Sequence, residues 1–381
     1  MPQHDLAMRN KQHLLLAVLA LAAAGAFGAD QALLSKEMGV DPSKESARAR
    51  IFEDVVVAPI PVSNPTVGTG LVGVVMPFYH LGPESPLSNT TFAAGAMSSG
   101  SWGVGAAQST RLRGDALRLD GFLGYVDLRY RFYGAGAAAG TNGTSVPIVQ
   151  KGLAFAPELL LQVAARTFVG LRYRGVRVET ALEGGSLPPS IAAVLPSSLT
   201  IVSSGFGPVA VFDSRDNDMN PAAGALVDFR ANFADESFGS DFDYSTASLA
   251  GNYYRRAGPG VVALRGFLCQ VSDRTPLFDL CLGGAGSDLR GYETGRYRDR
   301  AMFAVQGEYR FPLAGRFGGV VFGGWGKVAR SFGDMSDEPD LPSIGAGVRW
   351  LASEKARVNL SVDVAWGRDS TSLYDYVKES F

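Results

Sequence analysis

The chain has 381 residues, a formal net charge of −2 and 47 glycines, and only 19% of its residues are charged. A near-neutral charge argues against a nucleic-acid partner, because phosphate binding needs an excess of Lys and Arg on one face. Two cysteines are far too few for a disulfide-rich scaffold.

The N-terminus is typical of a secretory signal peptide. Two basic residues precede the apolar run LLLAVLALAAAGAFGA at residues 14–29. Small residues at its end suit cleavage after Gly28, with cleavage after Ala26 as the alternative. An uncleaved membrane anchor is the alternative, although the run is short for a span of about 20 residues. We predict a signal peptide at residues 1–28 and a short periplasmic segment at residues 29–52.

From residue 53 onwards, runs of alternating apolar and polar residues are separated by clusters of Gly, Pro, Asn, Asp and Ser. In VNLSVDVAW at residues 358–366, Asn359, Ser361 and Asp363 share one face, opposite the large apolar residues. This period of two is that of a β-strand. We predict sixteen strands, or fourteen if the least regular runs near the start are not strands: 53–62, 68–80, 89–98, 101–113, 115–132, 150–165, 167–180, 199–213, 222–235, 243–257, 259–272, 301–312, 316–330, 342–351, 356–367 and 372–381.

Three features of the sequence indicate the fold class: the signal peptide, which exports the chain, the aromatic residues near strand ends, and the lengths of the connections between strands. A soluble β-sandwich would also have a polar face on each sheet. A signal peptide, aromatic residues near strand ends, and alternating short and long connections instead favour a transmembrane antiparallel β-barrel. No run after residue 29 suits a membrane helix, and a closed barrel is the other structure that satisfies the backbone in a bilayer. We predict an all-β barrel at residues 53–381 in the bacterial outer membrane.

Four segments carry a resemblance to a known family. They are LRGY at 289–292, FDSRDNDMNPAAG at 212–224, QGEYRFPL at 306–313 and a last strand ending in Phe381. Together they resemble the bacterial surface antigen family, which includes the BamA/TamA-type assembly factors and the two-partner secretion transporters of the outer membrane. The resemblance covers residues 55–381.

The resemblance implies that the long loop at residues 273–300 folds back into the barrel. Its motif would then rest against the inner wall through Leu289, Arg290, Gly291 and Tyr292. An arginine suits a polar lumen because its guanidinium can make forked bonds to carboxylates. Glu308, on the polar face of the next strand, is the predicted partner of Arg290.

The family usually offers a second acid, in an aromatic-x-Asp-x-Gly pattern on the strand that follows. Here Phe322 and Gly326 fit the pattern, but Gly324 stands at the Asp position. We therefore expect a weaker attachment of Arg290, or one that relies on the packing of Tyr292.

Two other segments have predicted roles near the periplasm. Phe381 resembles the terminal signal by which the barrel assembly machinery recognises a last strand, so that machinery is the expected partner during biogenesis. The DSRDN and NPAAG residues at 213–224 favour a turn, because Asp, Asn, Pro and Gly supply turn chemistry. We interpret it as a tight periplasmic turn without a functional role.

The two cysteines are predicted to pair. Cys269 lies near the outer end of a strand, and Cys281 lies in the loop that follows. A disulfide between them would form in an oxidising compartment. Two free thiols are the alternative.

The resemblance implies a role in outer-membrane protein assembly or polypeptide translocation. Assembly factors carry periplasmic POTRA domains, and residues 29–52 are too few for one. A separate POTRA-like or chaperone protein is therefore an expected partner, beside outer-membrane lipids. The alternative is a barrel without client-handling activity, which would pass solutes or lipids or serve as a surface structure.

We expect no enzyme activity, cofactor or metal. Beyond the signal peptide the sequence has a single histidine, His80, to serve a Ser–His–acid triad. The sequence has no G-x-S-x-G motif, Walker loop or metal-spaced cluster of His and Cys.

Overall fold

The computed structural model describes residues 54–64, 66–82, 84–183, 198–284 and 288–381. The predicted signal peptide and periplasmic segment lie outside the described residues. In chain order the strands are β1 (Asp54–Asn64), β2 (Gly68–Tyr79), β3 (Ser88–Met97), β4 (Trp102–Leu112), β5 (Leu117–Phe132), β6 (Val146–Ala164), β7 (Thr167–Leu182), β8 (Ser198–Asp213), β9 (Gly224–Ala234), β10 (Tyr244–Ala257), β11 (Gly260–Val271), β12 (Cys281–Leu282), β13 (Arg298–Asp299), β14 (Ala301–Ala314), β15 (Phe317–Ala329), β16 (Leu341–Ser353), β17 (Val358–Trp366) and β18 (Thr371–Val377).

Sixteen of these strands form one antiparallel sheet in which each strand pairs with its neighbours in chain order, and β12 and β13 form a separate small hairpin. The predicted sixteen-stranded barrel is confirmed. Most strand bounds fall within a few residues of the prediction, but β6 begins four residues earlier and β18 ends four residues earlier.

Side chains alternate between the two sides of the wall, as the period of a strand requires. On β14, Val305 is exposed on the outer side, whereas Gln306, Glu308 and Arg310 are buried on the inner side. The exposed apolar residues of all the strands form a surface that faces lipid. A register slip of one residue would turn the charged residues towards lipid, so the alternation fixes the register.

Helices are few and short in the part of the chain that the structure describes. This part has one α-helical turn, α1 (Ala137–Asn142), and 3₁₀ turns at Glu236–Phe238, Leu277–Asp279 and Phe332–Asp334. Among the described residues, no helix has the length and apolar character needed to cross a bilayer.

The barrel closes where β1 lies beside β18. Within the described residues no backbone ladder joins these two strands, although every other pair of neighbours has one. At the periplasmic end, apolar packing brings together Val56 of β1, Val358 of β17 and Val377 of β18. A side-chain hydrogen bond from Ser353 to Asp54 adds one polar contact. We call the junction of β1 and β18 the seam.

Two connections enter or cover the barrel. Loop 6, residues 272–300, joins β11 to β14 and returns into the outer half of the lumen. Residues 214–223, which we call the strap, join β8 to β9 at the periplasmic end. The strap contacts the opposite wall at Arg357, so it is not the tight turn that the sequence predicted.

Candidate functional site

The base of loop 6 is fixed at the outer end of the wall. Cys269 and Cys281 are joined by a disulfide, so the first part of the loop is tied to β11. The hairpin of β12 and β13 then pairs Cys281 with Asp299 and Leu282 with Arg298. Residues 288–297, which precede β13, lie inside the lumen against the wall.

Apolar packing holds the descending part of the loop against the inner wall. Leu289, Tyr292 and Tyr297 are no more than 1% exposed. They form one cluster with Met302 of β14 and Leu341 of β16, among other residues of the wall. Burying side chains of this size contributes about 1.5–3 kcal/mol each. The loop is therefore packed into the barrel, as the predicted lumenal position requires.

Arg290 lies at the centre of the site with a fully buried side chain. Its Nη2 lies 2.6 Å from Glu308 Oε2, and its Nη1 lies 2.6 Å from Asp363 Oδ2. The guanidinium also lies 3.4 Å from the ring centroid of Phe322. Both the backbone N–H and Nε–H of Arg290 donate to Gln306 Oε1, at 3.2 and 3.3 Å. We call Arg290, Glu308 and Asp363 the arginine lock.

The second acid of the lock comes from an unexpected strand. Gly324 does stand where the family pattern has Asp, but Asp363 of β17 supplies a carboxylate to Arg290 instead. A Cβ at Gly324 would lie 2.8 Å from Gln306 Cγ and 3.1 Å from Leu289 Cδ1. Gly324 therefore leaves room for Leu289, and the second carboxylate comes from β17 instead of β15. The weaker attachment expected for Arg290 stays a prediction.

Gly291 and Tyr292 tie the loop to the last two strands and their connection. Gly291 has φ +105°, and a Cβ there would lie 2.8 Å from Gly367 N. Its N–H donates to Tyr374 Oη at 2.9 Å, and its carbonyl accepts from Ser370 Oγ at 2.9 Å. Tyr292 Oη–H donates to a β16 carbonyl at 2.5 Å. Burial raises the pKa of the Tyr292 phenol to about 12, so it remains a donor at neutral pH.

The lock is part of a larger charge network. Glu308 also accepts from Arg310, and Asp363 also accepts from Arg349, both at 2.5 Å. A third acid, Glu379, lies 2.7 Å from Arg349 and 3.5 Å from Arg310. Three arginines thus face three carboxylates. Pairing of this kind is what makes so many buried charges tolerable.

The last residues turn into the lumen instead of continuing the wall. Lys378 has φ +142°, and residues 378–381 leave the line of β18. Phe381 packs against Tyr254 and Ala263 on the inner side, and its carbonyl accepts from Arg310 Nη2 at 2.8 Å. The predicted strand at 372–381 is therefore wrong over its last four residues. Attraction of Glu379 to the arginines gives the physical reason, and the role of Phe381 as an assembly signal stays a prediction.

The remaining candidate positions are structural in character. His80 lies in the connection after β2, with Nδ1 2.7 Å from Ser85 O. In the ranges that the structure describes, no group of three or more His, Cys, Asp or Glu is arranged to hold a metal ion. What the site can do is hold a loop against two separate strands, β14 and β17, and against β18.

Comparison with known proteins supports the barrel fold. Residues 197–371 match the Omp85 superfamily domain. The fold resembles that of BamA from Haemophilus ducreyi lacking POTRA domains 1–3, with a TM-score of 0.54 and 14% identity over 87% of this chain and 75% of that one. CdiB from Acinetobacter baumannii matches with a TM-score of 0.52 and 12% identity over 83% of this chain and 58% of that one. No curated protein matches the chain in sequence.

These findings define a class of protein. The chain is an antiparallel outer-membrane β-barrel with a loop bound inside its lumen. The stretch that matches the Omp85 superfamily domain, residues 197–371, includes loop 6 and the arginine lock. The predicted resemblance to BamA/TamA-type barrels is confirmed at the level of this superfamily.

Proposed function

We propose that this barrel assists the insertion or passage of polypeptide chains at the outer membrane. The observation that carries the proposal is the seam, where β1 and β18 touch without a backbone ladder. Unpaired strand edges are templates for the addition of another strand. A client strand could pair with β1 while the rest of the barrel stays folded.

The arginine lock supports this role because it braces the wall next to the seam. Arg290 links β14 to β17, and the Gly291 N–H links loop 6 to Tyr374 of β18. Strands β14 to β18 can therefore move as one body when the seam opens. The loop also fills part of the lumen, which limits the free passage of solutes.

The partners follow from the same proposal. Outer-membrane lipids surround the apolar wall, and the barrel assembly machinery is the expected partner during biogenesis. A separate periplasmic POTRA-like or chaperone protein would deliver clients to the seam. No covalent chemistry is needed for this function, so we expect neither a cofactor nor a catalytic residue.

A crosslink across the seam tests the proposal. Val56→Cys and Val377→Cys place thiols on two residues of one apolar cluster, on opposite sides of the seam. The protein is reconstituted in liposomes, and the insertion of an unfolded outer-membrane barrel is followed by heat-modifiable gel migration. We expect the uncrosslinked protein to accelerate insertion and the crosslinked protein to lose that acceleration.

The matched control joins two strands that are already paired. Val57 and Val75 are ladder partners on β1 and β2, so a crosslink between Val57→Cys and Val75→Cys should leave insertion unchanged. Equal acceleration by the seam-crosslinked and reduced proteins would reject the seam as the route. If the uncrosslinked protein conducts ions but accelerates nothing, the alternative of a barrel without client handling is favoured.

A further inference from the structure

The strap is a folded segment with its own internal hydrogen bonds. Asp216 Oδ1 accepts from the N–H groups of Ala222 and Ala223 at 2.8 and 3.1 Å. Asn217 Oδ1 accepts from the N–H groups of two residues that follow it, at 3.0 and 2.7 Å. Gly224, the first residue of β9, follows the strap with φ +102°, where a Cβ would lie 2.1 Å from Ser214 O. These bonds give the strap a defined shape rather than that of a loose linker.

The strap crosses the periplasmic mouth of the barrel. It begins and ends on β8 and β9, in the middle of the strand order, whereas the seam joins the two ends of that order. Yet Met219 of the strap packs into the apolar cluster at the seam, which includes Val56, Phe78 and Val358. The cluster has residues on both sides of the seam, so Met219 contacts the junction itself.

Polar contacts fix the strap to the far wall. Arg357, in the turn between β16 and β17, donates from Nη2 to Asn220 O at 2.9 Å and lies 3.3 Å from Asp216 Oδ2. Arg310 Nη1 donates to Pro221 O at 3.4 Å, and the backbone N–H of Glu379 donates to Met219 O at 3.3 Å. The same Arg310 and Glu379 belong to the charge network around the arginine lock.

A charged cavity lies between the strap and the lock. Its volume is about 240 Å³, and its walls include Asp228, Arg230, Asn252 and Arg265. Strap residues Arg215, Asp218 and Met219 and the inward-turned residues 378–381 also line it. The strap thus forms part of the wall of a cavity lined by charged side chains of the lumen.

We propose that the strap is a periplasmic gate, which holds the seam closed through Met219 and seals the charged cavity until an incoming apolar strand displaces it. We take the displacing strand to be a strand of an unfolded outer-membrane barrel, because its alternate apolar side chains can replace Met219 in the cluster. That the displacing strand belongs to an unfolded barrel rests on the proposed function. That the strap closes the cavity does not depend on the proposed function.

A thiol in the cavity measures the seal directly. Ala250 lines the cavity, and Ala250→Cys would be the only free thiol, since Cys269 and Cys281 are paired. The rate of its modification by a bulky, water-soluble maleimide is measured in nanodiscs. Adding Met219→Ser and Arg357→Ala should raise this rate at least tenfold, and Arg357→Ala alone should raise it less.

A matched control comes from a neighbouring turn. Arg316 pairs with Glu354 at 2.8 Å in the exposed periplasmic region and makes no bond to the strap. Arg316→Ala should leave the modification rate unchanged. Heat-modifiable migration of every variant shows whether the barrel is folded. An unchanged rate in a folded Met219→Ser, Arg357→Ala protein would overturn the seal.

A second measurement tests displacement. Met219→Cys and Ala356→Cys, both within the seam cluster, are crosslinked to fix the strap, and insertion of an unfolded barrel is followed in liposomes. We expect the crosslinked protein to lose acceleration, whereas the single variants Met219→Cys and Ala356→Cys, which cannot form the crosslink, should retain it. Undiminished acceleration with the strap fixed would overturn displacement by the client. If no form of the protein accelerates insertion, the proposed function fails, while the maleimide rates still decide the seal on their own.

Discussion

The two sides of the lumen hold their charges differently. On the side opposite the arginine lock, the pair of Arg230 and Glu158 at 2.9 Å is partly open to water, since the arginine side chain is 32% exposed. Along β14 to β18, Arg290 and both of its acids are fully buried under loop 6. Exposed pairs contribute about 0–1 kcal/mol. Loss of one partner of a buried pair costs about 3–5 kcal/mol. The pair of Arg230 and Glu158 is accessible to water on its arginine side. The arginine lock is buried, and loop 6 covers it.

Removal of the central arginine should give the largest effect. Arg290→Ala leaves Glu308 and Asp363 buried with fewer counter-charges, so we expect a loss of about 3–5 kcal/mol in the free energy of unfolding. The midpoint of heat-modifiable migration in urea measures it. Arg230→Ala is the control and should cost less, because water reaches the arginine side of that pair. Equal losses at the two arginines would remove the distinction between the two sides.

Removal of the disulfide tests whether loop 6 needs its covalent attachment to β11 at the outer end of the barrel. Replacement of Cys269 and Cys281 by Ala should destabilise loop 6 by about 3 kcal/mol on loop-entropy grounds. Limited proteolysis of loop 6 measures the change, with the barrel strands as the internal standard. Unchanged resistance of the loop would mean that the arginine lock and the apolar cluster are sufficient.

A pair of adjacent glycines tests the fit of Leu289. A Cβ at Gly324 would lie 2.8 Å from Gln306 Cγ, whereas a Cβ at Gly323 would meet nothing closer than Ser343 O at 3.5 Å. Gly324→Ala should therefore cost about 1–3 kcal/mol of loop stability through overpacking. Gly323→Ala should be tolerated. Similar protease resistance in the two variants would contradict the tight contact with Leu289.

The smallest effect should come from pH. Burial raises the pKa of Glu293 in loop 6 above its ordinary value, although Tyr133 donates a hydrogen bond to its carboxylate. A raised folded-state pKa adds stability below the unfolded pKa of about 4.3, and that stability is lost as the pH rises through the folded value. Loop 6 should therefore become slightly less protease-resistant between pH 4 and pH 7.

The control for the pH effect is a neutral side chain of the same shape. Glu293→Gln cannot ionise and should keep its resistance nearly constant over that range. Thermal midpoints measured at several pH values compare the two proteins. Parallel pH profiles would show that Glu293 does not carry the effect.

The strands of the barrel wall were predictable because the alternation of polar and apolar residues that defines them is visible within each short segment of sequence. Alternation of polar and apolar residues decides which side of a strand faces lipid, and the inward position of Glu308 followed from that pattern alone. Asp363 was correctly placed on a polar face, but its pairing with Arg290 joins residues 73 positions apart. Nothing in the local sequence indicates that contact. The family pattern instead pointed to position 324, where this sequence has Gly and no carboxylate.

The periplasmic end was the least predictable part for the same reason. The residues of the strap have clear turn chemistry, yet the packing of Met219 depends on β1, β2 and β17, which lie far away in sequence. The inward turn at Lys378 depends on arginines of β14 and β16 that attract Glu379. The prediction extended a strand to Phe381, although the alternation stops at Val377 and is followed by Lys378, Glu379 and Ser380.

The inward turn after Val377 also sets the height of the barrel beside the seam. The last strand has 7 residues, whereas β6 has 19. At about 3.3 Å per residue and a tilt of about 45°, β18 rises roughly 16 Å and β6 roughly 44 Å. The hydrocarbon layer is about 30 Å thick. The bilayer next to β18 has to become thinner to match it, at a cost of fractions of a kcal/mol per Å. Lipids with short acyl chains would gather there, and a strand crossing the membrane at that point would have less hydrocarbon to traverse.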